Sequence, residues 1–160
     1  MRLPLEAVIS KYHKSLFGAA LGVLADFDEA DDAVQETFIR YYNSDLEFND
    51  ESHLKAWLLR VVINCFRDVR KSYWKRNRVS LEEISDIPFE TEENRSLFKE
   101  VMALPDKYRA IIHLFYYEDM SVKDIASVMS LSEGCVKMRL SRGRELLKKS
   151  LKGKGYAVIK

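Results

Sequence analysis

Two stretches of this chain gather cationic side chains in patterns suited to holding a polyanion. Residues 51–80 carry 8 Lys/Arg against 2 Asp/Glu, and residues 131–160 carry 9 against 2. Local field, more than total charge, governs attraction to phosphates. In the first stretch Tyr73 and Trp74 stand inside the run YWKRNR at a helix end. Aromatics amid cations can stack on unpaired bases, and a packing role is equally open for each. In the second stretch Arg139 and Arg142 can bind phosphates or donate two hydrogen bonds to a guanine. Catalytic chemistry has no comparable support. His13, His53 and His113 are isolated, without metal-ligand spacing, and Cys135 has no thiol partner at such spacing. Cys65 reads as a small hydrophobe on an apolar stripe. Asp31 and Asp32 share a helix start with no cleft to raise either pKa, and no glycine-rich run ends in Gly-Lys-Ser or Gly-Lys-Thr. The expectation is a protein that is not an enzyme, with no metal and no cofactor.

The total charge hides this pattern. The 160 residues hold 26 Lys/Arg and 25 Asp/Glu, a net of +1. Residues 1–50 have 4 basic and 10 acidic side chains, residues 81–100 have 2 and 7, and residues 101–130 have 3 and 4. Basic and acidic blocks therefore alternate. The length suits one ordinary domain or two small ones. A hydrophobic share of 47% is too high for a disordered chain, while 6 Gly and 3 Pro argue against a strand-and-turn-rich fold. No stretch reaches 18 apolar residues, and the N-terminal segment MRLPLEAVISKYHK has no apolar core, so neither a membrane span nor a leader is read. Two cysteines imply the cytosol and no disulfide framework.

Periodicity then supplies the elements. Leu5, Val8, Tyr12, Leu16, Ala20 and Leu24 recur at helical spacing and predict a helix over 3–25. A second helix runs from about Glu29 to Asn43, with Ala33, Val34, Thr37, Phe38 and Tyr41 on one face and acids in its first turn. Residues 45–50 read as a polar loop. Ser52 is expected to cap a third helix from His53 to about Arg76, whose buried stripe holds Trp57, Leu58, Val61, Val62, Cys65 and Tyr73. Residues 77–92 read as an acidic linker, longer than a tight turn requires. Helices over 93–102 and 106–117 follow.

The sharpest local signal starts at Ser121, a candidate N-cap. A short helix over 122–128, a turn at Met129-Ser130-Leu131, and a second helix capped by Ser132 make a helix-turn-helix pattern. Val136 and Leu140 anchor the second helix inward, and small Ala126 suits a close crossing. The fold class expected is all-α, with two small helical domains joined by a flexible linker.

Four motifs in order resemble the extracytoplasmic-function (ECF) branch of the bacterial sigma-70 family. These are DEADDAVQETF at 28–38, LKAWLLRVVINCFRDVRK at 54–71, Leu104-Pro105 with Tyr108-Arg109, and the stretch 121–149. The resemblance covers roughly residues 5–150. It implies a factor that binds RNA polymerase core and directs promoter recognition, DNA melting and transcription initiation. The domains implied are 1–76 for core polymerase and the −10 element, a linker at 77–92, 93–152 for the −35 element, and a basic tail at 153–160.

By the same resemblance Asp32, Gln35, Glu36 and Arg40 face the clamp helices of the largest catalytic subunit, and the flap region is a further contact. Asn64, Arg67, Asp68, Lys71, Tyr73, Trp74, Lys75 and Arg76 would meet the −10 region, and Lys55, Arg60 and Arg70 add cations for promoter phosphates. By residue type alone, Asn64 and Asp68 are as readily an intrahelical pair. The loop at 44–52 corresponds to the segment near which family members trap a flipped base. Ser132, Glu133, Lys137, Arg139 and Arg142 are the −35 candidates; Glu133 either accepts from cytosine N4 or serves the helix dipole. Cys135, Met138 and Gly143 depart from the family's usual Thr, Ser and Ala, and a mid-helix glycine costs about 0.5–1 kcal/mol relative to alanine. The resemblance further implies an anti-sigma partner, sometimes membrane-linked, for a cytoplasmic chain without direct membrane insertion. The competing reading is an ordinary helix-turn-helix regulator with an N-terminal helical sensor domain.

Overall fold

The computed structural model describes residues 1–65 and 89–153. Those residues form seven α-helices: α1 (Leu5–Leu24), α2 (Phe27–Asn43), α3 (Glu51–Asn64), α4 (Glu92–Met102), α5 (Asp106–Tyr116), α6 (Val122–Met129) and α7 (Glu133–Gly153). Helices α1–α3 make one cluster and α4–α7 a second, with α1 against α5 and α3 against α6 where the clusters meet.

Helix starts follow the capping rule, though not always at the residue expected. Asp26 accepts from the Glu29 amide at 2.8 Å, so α2 begins at Phe27, two residues before the expected start. Asp50, not Ser52, caps α3 by accepting from the His53 amide at 2.8 Å. Aspartate is as good an N-cap as serine, and the earlier residue takes the role. Thr91, Ser121 and Ser132 accept from Asn94, Asp124 and Cys135 amides at 3.0, 3.0 and 3.1 Å. Ser130 closes the helix-turn-helix turn in the left-handed region at φ 58°, with the Leu131 amide on the Ala126 carbonyl at 2.9 Å. The part of the expected third helix beyond Cys65, residues 66–88 and residues 154–160 lie outside the described residues.

One continuous core runs through both clusters, with Val8, Leu16, Leu24, Val34, Tyr41, Leu54, Leu58 and Val62 from α1–α3 and Ile111, Leu114, Ile125, Val136, Leu140 and Leu147 from α5–α7. Trp57 is half-buried and packed against the core, where it also meets the Tyr41 and Phe48 rings at 6.3 and 5.8 Å. Phe48 is itself buried at 2% exposure, so the segment read as a polar loop carries an apolar anchor.

Gly143 is fully packed where α7 crosses α5. A methyl group there would stand 2.7 Å from Ile112 Cγ1, and Ile112 is buried. The residue that looked like a cost to the helix is the one that lets the two helices approach. Gly143→Ala is expected to lose about 1–3 kcal/mol despite alanine's better helix propensity, read as a lower midpoint in thermal or urea unfolding. An equal or raised midpoint would show that Ile112 moves aside freely.

Candidate functional site

Three surfaces carry the candidate residues. On α2, Asp32, Gln35 and Arg40 are exposed and Glu36 half-exposed. Gln35 donates to Asp31 Oδ2 at 3.3 Å and Arg40 Nε pairs with Glu36 Oε2 at 3.2 Å. Helical spacing puts residues 32, 35, 39 and 42 on one stripe. Ile39 and Tyr42 on that stripe are 53% and 69% exposed, which places two large apolar side chains in open water. Isolated exposed apolar residues are ordinary, but these two lie in line with the polar candidates and form an exposed apolar pair that charge alone does not single out. Tyr42 also borders a groove of about 480 Å³ formed with Arg2, Leu3, Pro4, Leu5 and Tyr41.

The second surface is α3 with the loop before it. Asn64 and Arg60 are exposed on α3, one turn apart. Asn64 Nδ2 donates to the Arg60 carbonyl at 2.9 Å and to the Val128 carbonyl of α6 at 3.2 Å. Arg60 donates to the Ser127 carbonyl and hydroxyl at 3.2 and 2.6 Å. Arg67, Asp68, Arg70, Lys71, Tyr73, Trp74, Lys75 and Arg76 lie outside the described residues. Cys65 approaches Thr37 Oγ1 at 3.9 Å, and burial pushes its thiol up from the usual value, which fits a packing role. The loop at 44–50 is held from an unforeseen direction. Arg2 lies 4.3 Å over the Tyr41 ring and donates to Tyr41 O at 2.6 Å, Leu46 O at 2.9 Å and Ser44 Oγ at 3.2 Å. The Phe48 amide donates to the Met1 carbonyl at 3.0 Å.

The third surface is the outer face of α7. Ser132, Glu133, Lys137 and Arg142 are exposed, and Arg139 is half-buried. Met138, 52% exposed, and Ser141 stand between Lys137 and Arg142 at helical spacing. A Cβ at Gly134 would meet nothing within 4 Å, so the first turn is open to a close neighbour. Arg144 turns away: its Nε donates to Tyr116 OH at 2.6 Å, and its guanidinium lies over the Phe115 and Tyr116 rings. Arg144 also borders an apolar groove of about 520 Å³ walled by Phe89, Leu97, Val101, Ile112 and Leu147.

Among the described residues no group of His, Cys, Asp and Glu is placed to hold a metal ion. None of the described helices is long and apolar enough to cross a membrane.

Arg2→Ala removes two donated bonds to the loop and one to the last turn of α2. We expect a loss of about 1–2 kcal/mol in local stability and faster hydrogen exchange at the Phe48 amide, with α7 amides unchanged. Unchanged exchange at Phe48 would show the loop is held without Arg2.

Comparison with known proteins aligns with this division. A family model described as Sigma-70 region 2 matches residues 8–78, and one described as Sigma-70, region 4 matches residues 95–147. The ECF RNA polymerase sigma factor SigL of Mycobacterium tuberculosis is 30% identical over 94% of this chain and 90% of its own length. SigW of Bacillus subtilis, another ECF RNA polymerase sigma factor, is 28% identical over 91% of this chain and 87% of its own. Among solved structures, CnrH in complex with the cytosolic domain of CnrY has a TM-score of 0.65 and 25% identity, covering 93% of this chain and 88% of that one. The sigma factor RpoE of Bartonella quintana, solved with the anti-sigma factor NepR, has a TM-score of 0.68 over 92% of this chain and 96% of that one; at 21% identity the likeness is one of fold.

Proposed function

This chain belongs to the ECF branch of the sigma-70 family, and we propose that it binds RNA polymerase core and directs it to promoters through the three surfaces above. The observation that carries this reading is that one small chain presents an exposed mixed polar and apolar stripe on α2 and a separate exposed cationic face on α7. An ordinary helix-turn-helix regulator would use only the second.

In this reading α2 meets the clamp helices of the largest catalytic subunit, with Asp32, Gln35, Glu36 and Arg40 giving polar complementarity and Ile39 and Tyr42 the desolvated anchors. Interfaces draw most of their energy from such central aromatic and aliphatic groups. The groove beside Arg144 is the apolar seat for the flap region. Lys137, Met138, Ser141 and Arg142 face the −35 element, with Ser132 and Glu133 at the helix start and Arg139 on the adjoining phosphates. Asn64, together with Arg67, Asp68, Lys71, Tyr73, Trp74, Lys75 and Arg76, serves the −10 element. The working units are residues 1–76 and 93–152, tethered by 77–92. Strand separation draws on trapping unpaired bases, which offsets an opening cost of roughly a few kcal/mol without nucleotide hydrolysis. The chain acts in the cytoplasm, and a membrane-linked anti-sigma factor is the partner that would hold it inactive.

Reconstitution with core polymerase should give promoter-specific transcripts with start sites that depend on this chain; failure to compete with another sigma factor for core would overturn the reading. Ile39→Ala with Tyr42→Ala should weaken core binding about tenfold or more while the helical melt is unchanged, and full retained affinity would move the interface off α2. Arg142→Glu with Lys137→Glu should abolish initiation at promoters that need a −35 element while leaving core affinity unchanged. Intact initiation there would remove α7 from DNA reading.

A further inference from the structure

We propose that Met138 is a specificity-determining side chain of α7 and that it selects a thymine in the −35 element through the thymine C5-methyl group. The inference deepens the sigma-factor reading and rests on it, because α7 must lie in the major groove for Met138 to meet a base.

The first observation is where the side chain stands. Met138 is 52% exposed on a helix whose inward residues, Val136, Leu140, Gly143 and Leu147, are buried. A single exposed apolar residue is ordinary on a protein surface. This one differs in its neighbours. On an α-helix the side chains three and four positions away are the ones that touch. Around Met138 these are Gly134, Cys135, Ser141 and Arg142, and three of the four are small. A helical side chain leans back over the preceding turn. Here that turn holds Gly134, where an added Cβ would meet nothing within 4 Å. The thioether therefore stands clear of the helix as an uncovered knob. Met102, Met120 and Met129, by contrast, are buried at 6%, 7% and 7% exposure.

The second observation is chemical. Lys137 and Arg142 are exposed on the same outer face, and cations suit phosphates or a guanine edge. Met138 suits neither: it has no hydrogen-bond donor, and its sulfur is a weak acceptor. The one apolar group on a base edge in the major groove is the thymine methyl. Every other edge there presents donors and acceptors, which an apolar side chain would desolvate without replacing their bonds. Met138 thus rewards thymine and penalises a polar edge at the same position. Its flexible, polarizable chain conforms to a methyl group. The serine common at this position in the family would hydrogen-bond instead, so methionine changes the kind of readout as well as its strength. Arg142 lies four residues on, about 6 Å along the helix axis, against ~3.4 Å per base pair. The thymine is expected within about two base pairs of the group that Arg142 holds.

The test uses the full chain with core polymerase on a promoter taken from transcripts that depend on it. Each thymine of the −35 element, on either strand, is replaced in turn by deoxyuridine, which removes the methyl and keeps every hydrogen bond. At one position the wild type should lose about threefold to fivefold in promoter affinity. Met138→Ser should bind the thymine and deoxyuridine promoters equally, and Met138→Leu should keep most of the difference. Both variants should melt like the wild type, because the residue is exposed. Insensitivity of the wild type at every thymine, a −35 element without an A·T pair, or an equal loss in Met138→Ser would overturn the proposal and leave −35-dependent initiation standing. A chain that initiates without regard to the −35 element, or fails to engage core, would remove the sigma-factor reading and this inference with it.

Discussion

A buried guanidinium sets the arrangement of the whole molecule. Arg109 is 1% exposed, and arginine does not escape burial by losing its proton. A charge held that way must be matched by hydrogen bonds, or it destabilises the fold by several kcal/mol. The match comes from the end of α1. The last carbonyls of any helix lack partners in their own helix, and the last turn of α1 contains no basic residue. The Ala25 amide takes Leu21 O, and Arg109 takes Gly22 O and Val23 O. Helix α1 thus has its carboxyl end capped, and its dipole complemented, by a side chain from the other cluster. With that bond in place, α5 crosses α1 at Gly22, His113 lies on that glycine, and α6 packs against α3.

Features that depend on neighbouring residues were legible in the sequence. Ser121 and Ser132 cap the two helix-turn-helix helices as their positions suggested, and Val136 and Leu140 face inward. Four motifs in order carried the family. What the sequence hid depends on partners far along the chain. Arg109 stood out only as a motif residue, because nothing local tells a buried arginine from an exposed one. Gly143 was scored by helix propensity, a property of one helix, whereas its use lies in the distance between two. Phe48 stood among polar neighbours and looked like loop. Ile39 and Tyr42 were passed over because charge drew attention to the residues beside them, and only accessibility along α2 reveals them.

The alternation of acidic and basic blocks gains a second meaning from the fold. Blocks of opposite sign alternate along the sequence. Lys55 and Arg60 line one cleft with Glu118, Asp119 and Asp124 of the same chain, and Arg60 itself bonds the Ser127 carbonyl and hydroxyl. Blocks of opposite sign that lie far apart in sequence therefore meet at one cleft in the fold.

Asp106 bears on how the buried charge is tolerated. It pairs with Arg109 from three residues away on the same helix. The guanidinium is therefore neutralised by a local partner, while the distant carbonyls of Gly22 and Val23 take its other donors. Charge balance is settled within α5, and hydrogen bonding is what α1 adds. A lysine at 109 would keep the charge but lose the planar fork that reaches two carbonyls at once.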